Sequence, residues 1–458
     1  MKKIITILLV CIGFQMSAQC WQSIAKGTYY TVAKKTDGTI WAWGYNNYGQ
    51  LGDGTNSNTS TPTQIGTHNN WQSITAGSSH TVAIKTNGTL WTWGYNNYGQ
   101  LGDGTTATFR NTPLQIGTAT WQSAAAGDYH VIAIKSDGTL WGWGQNNYCQ
   151  LGDATYFNHN TPTQIGTANN WAKVTANENY TLAIKTDGTL WAWGRNNYGQ
   201  LGDATYTNRE EPVQIGSNNN WQTVSAGRQH AVAIKTNGTM WSWGEGFNGR
   251  LGDGSYDDHN IPFQIGTGTN WQSVVAGSAH SVAIKTNGTM WSWGYNAYGQ
   301  LGYSTSVGSG IDPSIPHQIG TATDWRNAAV ADEDSVATRT NNMLYAWGIN
   351  NYGQAGTDTT NGGTALVNVI CLPSVLATED FEATNASVYP NPVRDVLNFA
   401  SDSILTSATI YNVLGQDVRS KTINAKEAQM DLSTLPNGTY FVKIATGNQI
   451  QTLKIIKS

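Results

Sequence analysis

The stretch Trp41-Ala42-Trp43-Gly44-Tyr45-Asn46-Asn47-Tyr48-Gly49-Gln50-Leu51-Gly52-Asp53 decides the fold, because it returns along the chain. Close copies occupy residues 91–103, 141–153, 191–203, 241–253 and 291–302, and a divergent copy occupies 345–356. The first six copies are 50 residues apart. A fixed period of this size is typical of a solenoid, a propeller or another repeat array.

Each repeat contains four segments with the pattern of β-strands, as the second repeat illustrates. Trp71–Gly77 and His80–Thr86 are short and rich in β-branched residues, and Asn87-Gly88 then predicts a tight hairpin. Thr89–Trp93 is the third segment. After a long polar loop, Thr112–Gly117 is the fourth, and its proline suits an outer edge strand. Four antiparallel strands in each of seven repeats predict an all-β, seven-bladed β-propeller.

The repeat also resembles a known family. Its motif is Ala-Gly-x-x-His-Thr-Val-Ala-Ile-Lys-Thr-Asn/Asp-Gly-Thr-Leu-Trp-x-Trp-Gly-x-Asn-x-Tyr-Gly-Gln-Leu-Gly, which is similar to the regulator of chromosome condensation repeat. The resemblance covers residues 21–371 and implies a seven-bladed propeller, to which we assign residues 19–371. It does not imply nucleotide exchange on a small GTPase, because that role belongs to one branch and fold does not fix function.

The start of the chain has the pattern of a signal peptide. Lys2-Lys3 precedes an apolar run over residues 4–14, and Ala18 is a small residue suited to cleavage, so residues 1–18 are predicted to be removed. No stretch is long enough to span a bilayer. The net charge is -4 and only 12% of residues are charged, so neither nucleic acid nor an anionic membrane is favoured as a partner.

Cleavage after residue 18 would leave three cysteines. Cys20 precedes the first repeat and Cys371 follows the last, where the missing linker between repeats would join the two ends of the chain. We predict a Cys20–Cys371 disulfide that closes the ring in an oxidising compartment, with two unpaired thiols as the alternative. Cys149 replaces a glycine of the repeat and is interpreted as an inert buried thiol.

Three columns of the repeat vary while the rest stays nearly constant: the turn after the first strand, the residue after Trp-Gly, and the loop after Leu-Gly-Asp. Strand direction places all three on one side, the upper face. Variable loops on a rigid framework often carry binding, and Tyr and Arg favour contact with macromolecules. The candidate binding residues are Tyr29, Tyr45, Tyr95, Asp128, Tyr129, Glu178, Asn179, Arg195, Arg228, Gln229, Glu245, Tyr295, Asp332 and Glu333. Neutral drift of exposed loops is the alternative.

The constant columns favour structural roles. Histidines such as His80 could form a metal site, but Tyr and Asp replace them in other repeats, so a hydrogen-bonding role is favoured. Aspartates such as Asp53 lack a calcium-ligand ladder and are interpreted as loop caps. A ring of cations such as Lys35 could hold an anionic polymer, although solvated strand ends are the preferred interpretation. No metal or cofactor is predicted.

The composition changes after Cys371. Residues 372–386 read as a linker, and residues 387–458 contain short alternating segments joined by Gly, Pro and Asn, which predict a small Ig-like β-sandwich. Its motifs Tyr-Pro-Asn-Pro, Tyr-Asn-x-Leu-Gly-Gln and Leu-Pro-Asn-Gly-x-Tyr resemble the type A sorting domain of the type IX secretion system. That resemblance implies export across the outer membrane of a Gram-negative bacterium, with the secretion machinery as a partner of residues 387–458.

No catalytic motif is found in the sequence: there is no nucleophile elbow, His-Glu-x-x-His motif or phosphate loop. The expected function is therefore that of a secreted or cell-surface, non-catalytic propeller that captures a protein or a glycan on its upper face. A carbohydrate-active enzyme is one alternative. A proteinaceous enzyme inhibitor is another, since one branch of the repeat family has that role.

Overall fold

The computed structural model describes residues 21–304, 312–369, 386–412, 416–446 and 449–458. The chain divides into two compact units, one ending at Pro373 and the other beginning at Ser374. The predicted signal peptide, both predicted disulfide cysteines and nearly all of the predicted linker lie outside the described residues.

The described residues of the first unit form 28 strands, arranged in seven sheets of four. Blades 1 and 2 comprise β1 (Trp21–Lys26), β2 (Tyr30–Lys35), β3 (Ile40–Gly44), β4 (Thr59–Gln64), β5 (Trp71–Ala76), β6 (His80–Lys85), β7 (Leu90–Tyr95) and β8 (Phe109–Gln115). Blades 3 and 4 comprise β9 (Trp121–Ala126), β10 (His130–Lys135), β11 (Leu140–Gly144), β12 (His159–Gln164), β13 (Trp171–Asn177), β14 (Tyr180–Lys185), β15 (Leu190–Gly194) and β16 (Arg209–Gln214).

Blades 5 to 7 repeat the same plan. They comprise β17 (Trp221–Ala226), β18 (His230–Lys235), β19 (Met240–Gly244), β20 (His259–Gln264), β21 (Trp271–Ala276), β22 (His280–Lys285), β23 (Met290–Gly294), β24 (His317–Gln318), β25 (Trp325–Val330), β26 (Asp334–Arg339), β27 (Leu344–Gly348) and β28 (Gly363–Val369). Each blade pairs its strands antiparallel in chain order, and the first strands of neighbouring blades contact one another around the axis. The predicted seven-bladed propeller is confirmed.

Tryptophan fills the space between blades. Trp71 and Trp93 of blade 2 pack against an aliphatic cluster of blade 1 that includes Val32 and Ile40. The indole N–H of Trp93 also donates to the backbone oxygen of Gln50 at 2.9 Å. Fully burying one aromatic side chain contributes about 1.5–3 kcal/mol, so repeated Trp packing is a main source of stability.

The last blade meets the first through the same kind of contact. Trp21 and Trp43 pack with Val336 and Leu344 of blade 7, and the backbone N–H of Trp21 donates to the oxygen of Asn342 at 3.0 Å. The described residues therefore close the ring without a covalent link.

The second unit is a small β domain. Its strands are β29 (Ser387–Tyr389), β30 (Val396–Tyr411), β31 (Asp417–Asp431), β32 (Gly438–Thr446) and β33 (Gln449–Lys457). All five belong to one hydrogen-bonded network in which the long β30 pairs with β29, β31 and β32. Buried side chains such as Phe399, Val442 and Ile455 form a single core.

Candidate binding face

The first two variable columns lie on the same side of the propeller. In every blade the residue after Trp-Gly donates its backbone N–H to the turn between the first and second strands. These seven bonds, each 2.9 Å long, join Tyr45 to Tyr29, Tyr95 to Ser79, Gln145 to Tyr129, Arg195 to Asn179, Glu245 to Gln229, Tyr295 to Ala279 and Ile349 to Glu333.

The third variable column, the long loop, reaches the same side. The side-chain oxygen of Asn58 accepts from the backbone N–H of Asn46 at 2.8 Å, and Asp258 accepts from Gly246 at 2.9 Å. All three columns thus contribute to one upper face, as strand direction predicts. Their role in binding stays a prediction.

Seven tyrosines of blades 7, 1, 2 and 3 form a continuous tyrosine arc on this face: Tyr352, Tyr29, Tyr45, Tyr48, Tyr95, Tyr98 and Tyr129. Ring centroids of successive neighbours lie 4.9 Å apart for Tyr45 and Tyr352, 4.8 Å for Tyr48 and Tyr95, and 5.2 Å for Tyr98 and Tyr129. The rings are half-buried, and Tyr352 is the most exposed at 37%. Edge and tilted contacts of this kind each contribute about 0.5–1.5 kcal/mol, so the arc is preorganised.

Sequence reasoning missed three members of the arc. Tyr48, Tyr98 and Tyr352 belong to the nearly constant Asn-x-Tyr-Gly segment, whose uniformity favoured a structural role. The structure instead places them between the variable tyrosines, partly accessible to solvent. The available signal was a tyrosine retained at this position of the loop in six of seven repeats, with Asn248 as the exception.

Blades 4 and 5 carry a charged group instead. Glu178 is buried and accepts from Arg195 at 2.9 Å, with Arg228 3.9 Å away. In the next blade Glu245 pairs with Arg250, a residue that stands where the other repeats have Gln. Asn179 accepts from the side-chain amide of Gln150 at 3.0 Å. Opposite charges are therefore largely paired within this sector.

A small polar cavity of about 170 Å³ opens at the upper end of the axis and is lined by all seven blades. Asp128 and Asp332 lie in its wall. Burial, together with repulsion from Asp332 and Glu178, raises the pKa of Asp128 to about 7 against the partial offset of Arg228. Burial also raises the pKa of Asp332. The mouth of the axis is thus a site of unfavourable carboxylate burial.

The remaining predicted residues lie on the upper face outside these three groups. Tyr295 contacts Tyr298 with ring centroids 6.2 Å apart. Gln229 and Glu333 are half-buried turn residues, and burial beside Asp332 raises the pKa of Glu333. The predicted set therefore comprises a tyrosine arc, a charged sector, an axial mouth and these three outlying residues rather than one cleft.

The histidine column is structural. His80, His130, His230 and His280 are fully buried. Nε2 of His280 lies 2.9 Å from the hydroxyl of Ser335 in the next blade, and burial lowers its pKa to about 3. Among the described residues no group of three or more His, Cys, Asp or Glu side chains is placed to hold a metal.

The aspartate column caps its loops, as expected. The Oδ1 atom of Asp53 accepts from the backbone N–H and the hydroxyl of Thr55, both at 2.9 Å. In blade 3, Asp153 also contacts Nε2 of His159 at 2.5 Å.

The interpretation of the lower-face cations as solvated strand ends is wrong. Lys35 is fully buried, with its ammonium 3.6 Å from the ring centroid of Trp41 and 5.2 Å from that of Trp21. The same cation–π arrangement recurs in every blade, with Arg339 over Trp325 and Tyr345 in the seventh. Each cation thus bridges the aromatic ring that starts the first strand of its blade and the first aromatic ring of the third strand, which removes the case for a ring that binds an anionic polymer.

Cys149 is a free, buried thiol, and burial raises its pKa, in agreement with the prediction of an inert cysteine. The Cys20–Cys371 disulfide stays a prediction, because both residues lie outside the described part of the chain. The described residues include no helix long and apolar enough to cross a membrane.

Comparison with solved structures supports the fold. Prp20p from Saccharomyces cerevisiae, described with its binding to Gsp1p and histones, is 19% identical with a TM-score of 0.67, covering 81% of this chain and 90% of that one. The same yeast protein, RCC1 (Prp20), in its structure bound to Kap60, is 18% identical with a TM-score of 0.66, and the match covers 81% of this chain and 88% of that one. Human WBSCR16 is 16% identical with a TM-score of 0.65, covering 72% and 94%. At these identities the likeness shows the fold alone.

Family models match both parts of the sequence. The model of the secretion system C-terminal sorting domain matches residues 387–458. The model of the regulator of chromosome condensation (RCC1) repeat matches residues 37–84, 87–134, 137–184, 187–234, 237–284 and 287–337, and a second model of that repeat matches six segments between residues 21 and 300. These matches cover more than half of the chain. The chain therefore belongs to the RCC1 repeat family and carries a secretion sorting domain, which marks it as a secreted or cell-surface protein.

Proposed function

We propose that this chain is an exported, non-catalytic propeller that captures a protein or a polysaccharide on its upper face. The observation that carries the proposal is the tyrosine arc, a row of half-exposed rings spanning four blades. Tyrosine offers a large contact area at low cost in conformational entropy, and aromatic residues are enriched at interfaces. The described lower face, in contrast, is a repeated set of hairpins.

The sorting domain supports delivery by the type IX secretion system to the surface or surroundings of a Gram-negative bacterium. Yeast Prp20, which has a similar fold, is described bound to Kap60 in one structure and with its binding to Gsp1p and histones in another, which is consistent with a binding role for the propeller.

The test compares upper-face variants for capture by the immobilised mature chain. Defined extracellular matrix proteins and purified polysaccharides serve as probes, and binding is measured by biolayer interferometry. The triple variant Tyr95→Ala, Tyr98→Ala, Tyr129→Ala should weaken a captured probe at least tenfold, since each lost anchor costs about 1–2 kcal/mol. The matched control Phe157→Ala, Tyr206→Ala removes rings that are 76% and 53% exposed but lie outside the arc. Equal losses in both variants would exclude the arc as the binding site.

A carbohydrate-active enzyme is the second candidate, because Asp128 combines a cavity with a pKa raised to about 7, as a general acid requires. Hydrolysis of a polysaccharide panel, abolished by Asp128→Asn and Asp332→Asn, would support it. Binding without turnover would support the non-catalytic proposal.

A further inference from the structure

The polar cavity at the upper end of the axis contains two carboxylates without a counter-ion. Asp128 of blade 3 and Asp332 of blade 7 line it from nearly opposite sides of the axis. Within the described part of the chain, neither carboxylate has a hydrogen-bond or ion-pair partner, and their oxygens are accessible through the cavity. After burial, repulsion from Asp332 is the next cause of the raised pKa of Asp128, so the two groups lie close enough to repel each other across the axis.

The cations near this pair already have other partners. Lys26 also lines the cavity, but its ammonium is fully buried and donates to Asp334. The guanidinium of Arg228 lies 3.9 Å from Glu178, and its attraction offsets only part of the effect of burial on the pKa of either aspartate. A cation that entered the cavity would therefore supply the missing counter-charge.

The fold does not require a carboxylate at this position of the turn. Thr28, Ser78 and Ser278 occupy it in three other blades, and the hydroxyl oxygens of Thr28 and Ser78 lie 3.0 Å apart. A buried carboxylate costs stability that a hydroxyl group would not. A costly side chain at a position where the fold accepts a neutral one is typical of a functional site.

The shape of the cavity suits a slender group. In blade 2 its wall runs from Ser78 in the turn down to Thr75, and three residues of a strand span about 10 Å. Much of the remaining wall is alanine and glycine, such as Ala126 and Gly127. Its volume of about 170 Å³ accommodates several water molecules or the end of one long side chain.

The tyrosine arc borders the mouth of this cavity. Tyr29 and Tyr129 directly follow Thr28 and Asp128 in the chain. Burial and repulsion from Asp332 raise the pKa of Tyr29, and burial and repulsion from Asp128 raise the pKa of Tyr129, so both phenol groups lie near the carboxylates. Aromatic rings beside carboxylates favour a cation carried on an apolar stem. A protein held on the arc would also cover the mouth.

We propose that the axial cavity binds a lysine side chain of the protein that the upper face captures, an inference that rests on the proposed function. The ammonium would donate to both Asp128 and Asp332, and a hydroxyl such as that of Ser278 would accept its third hydrogen. A compact ammonium suits carboxylates on two sides, whereas a guanidinium pairs best with one carboxylate through its planar fork. Calcium requires six to eight oxygen ligands, which two aspartates do not approach.

The test detects the lysine side chain by saturation-transfer NMR, in which protons of a bound probe lose intensity when the mature chain is irradiated. The probe is Nα-acetyl-lysine methylamide, and its Nε-acetylated form is the neutral control. At pH 8 the ε-methylene protons should give the strongest signal, with a millimolar dissociation constant. At pH 5 binding should weaken at least about tenfold, because Asp128, with a pKa of about 7, is then protonated. An equal signal from the neutral control would overturn the proposal.

A pair of double variants locates the signal in the molecule. Asp128→Asn with Asp332→Asn should abolish it. The matched control, Asp137→Asn with Asp187→Asn, removes the same charge from two lower hairpins, where each carboxylate accepts from a threonine, and should leave the signal unchanged. A lysine signal that survives the first double variant would overturn the proposal.

Competition defines the class of ligand. The competitors are Nα-acetyl-arginine methylamide, methyl glucosaminide and calcium chloride, each at the concentration of the lysine probe. None of the three should displace most of the probe. Displacement by one of them would assign the cavity to a guanidinium, an amine-bearing glycan or a metal ion instead, and would overturn the proposal.

Protein capture separates this inference from the proposed function. For a protein held on the upper face, Asp128→Asn with Asp332→Asn should weaken binding at least about tenfold, as should acetylation of the lysines of that protein. Capture that the double variant leaves unchanged would overturn the lysine pocket and leave the tyrosine arc as the binding site. A lysine signal without capture of any protein would support the pocket and contradict the proposed function alone.

Discussion

Lys26 and Asp334 depart together from the repeat pattern. Asp334 stands where four repeats have His and two have Tyr, and Lys26 stands where five others have Ala and one has Val. The two side chains are buried and meet at 2.5 Å across the joint between blades 1 and 7. Lys26 also donates to the hydroxyl of Thr31 at 2.9 Å. An ion pair thus replaces the histidine–hydroxyl contact used at other joints.

Removing one partner of this pair should be costly. Lys26→Ala should lower the free energy of unfolding by about 3–5 kcal/mol, because it leaves a buried carboxylate without its partner. Burial already raises the pKa of Asp334 to about 6 despite Lys26, so the loss should be larger at pH 8 than at pH 5. Urea unfolding at both pH values measures this loss in the free energy of unfolding.

The double variant Lys26→Ala, Asp334→His serves as the control. It recreates the residues of the other blades, with a histidine that can reach Thr31, and should recover most of the stability. Equal instability of the single and double variants would contradict this account of the joint.

Asp128 should lower stability at neutral and alkaline pH. Its folded pKa of about 7 lies above the usual 3.8, so ionisation disfavours the folded state as the pH rises from 4 through 7. Asp128→Asn should raise Tm at pH 8 and have little effect below pH 4. Asp187→Asn is the control: this exposed carboxyl accepts from Thr189, which lowers its pKa, so its removal should give no gain at pH 8. A Tm of Asp128→Asn that is no higher than wild type at pH 8 would contradict the carboxylate burial described.

At the scale of the element, the glycine of Leu-Gly-Asp sets how closely two blades approach. Gly102 has φ +72°, and a Cβ atom there would lie 2.8 Å from Nε1 of Trp143 in the next blade. Gly117 has a similar φ of +59°, but a Cβ atom would meet nothing within 4 Å. Substitutions at Gly102 and Gly117 therefore share the cost of backbone strain, and only the one at Gly102 adds a cost from packing between blades.

Alanine substitution at these positions should therefore give different losses. Gly117→Ala should cost about 1–2 kcal/mol from the left-handed backbone alone. Gly102→Ala should cost a further 1–3 kcal/mol, since the methyl group collides with the packed indole. The midpoints of urea unfolding of the two variants report this difference in stability. Equal midpoints would show that the blades accommodate the methyl group at position 102 without a loss of stability.

The elements show which features a sequence can predict. Asn87-Gly88 requires a hairpin, and alternation along the strands then assigns the two faces, so blade count and upper-face columns follow from local chemistry. The contacts between blades do not follow from local chemistry. The position of Tyr48 between Tyr45 and Tyr95, and that of Lys35 over Trp41, depend on packing that no local pattern encodes.

At the scale of the whole molecule, ring closure has a described part and a predicted part. Packing of Trp21 and Trp43 against blade 7 closes the ring without a covalent link. The predicted Cys20–Cys371 disulfide would add about 5 kcal/mol by restricting the unfolded chain, according to the chain-entropy model.

The disulfide can be tested by mass and by stability. Peptide mapping without reduction should recover Cys20 joined to Cys371, with Cys149 alkylated only after unfolding. Cys20→Ser should lower Tm, whereas Cys149→Gly, which restores the residue of the other repeats, should not. Two free terminal thiols in the exported protein would contradict the prediction.

The upper face as the capture surface is the central claim, and site-directed photo-crosslinking tests it most directly. Benzoyl-phenylalanine is placed at Tyr95 in the tyrosine arc or at the exposed Thr86 of a lower hairpin, in the chain as its own organism exports it. Illumination should yield a discrete crosslinked species from position 95 and none from position 86. Crosslinking from position 86 alone, or equally from both positions, would contradict the claim.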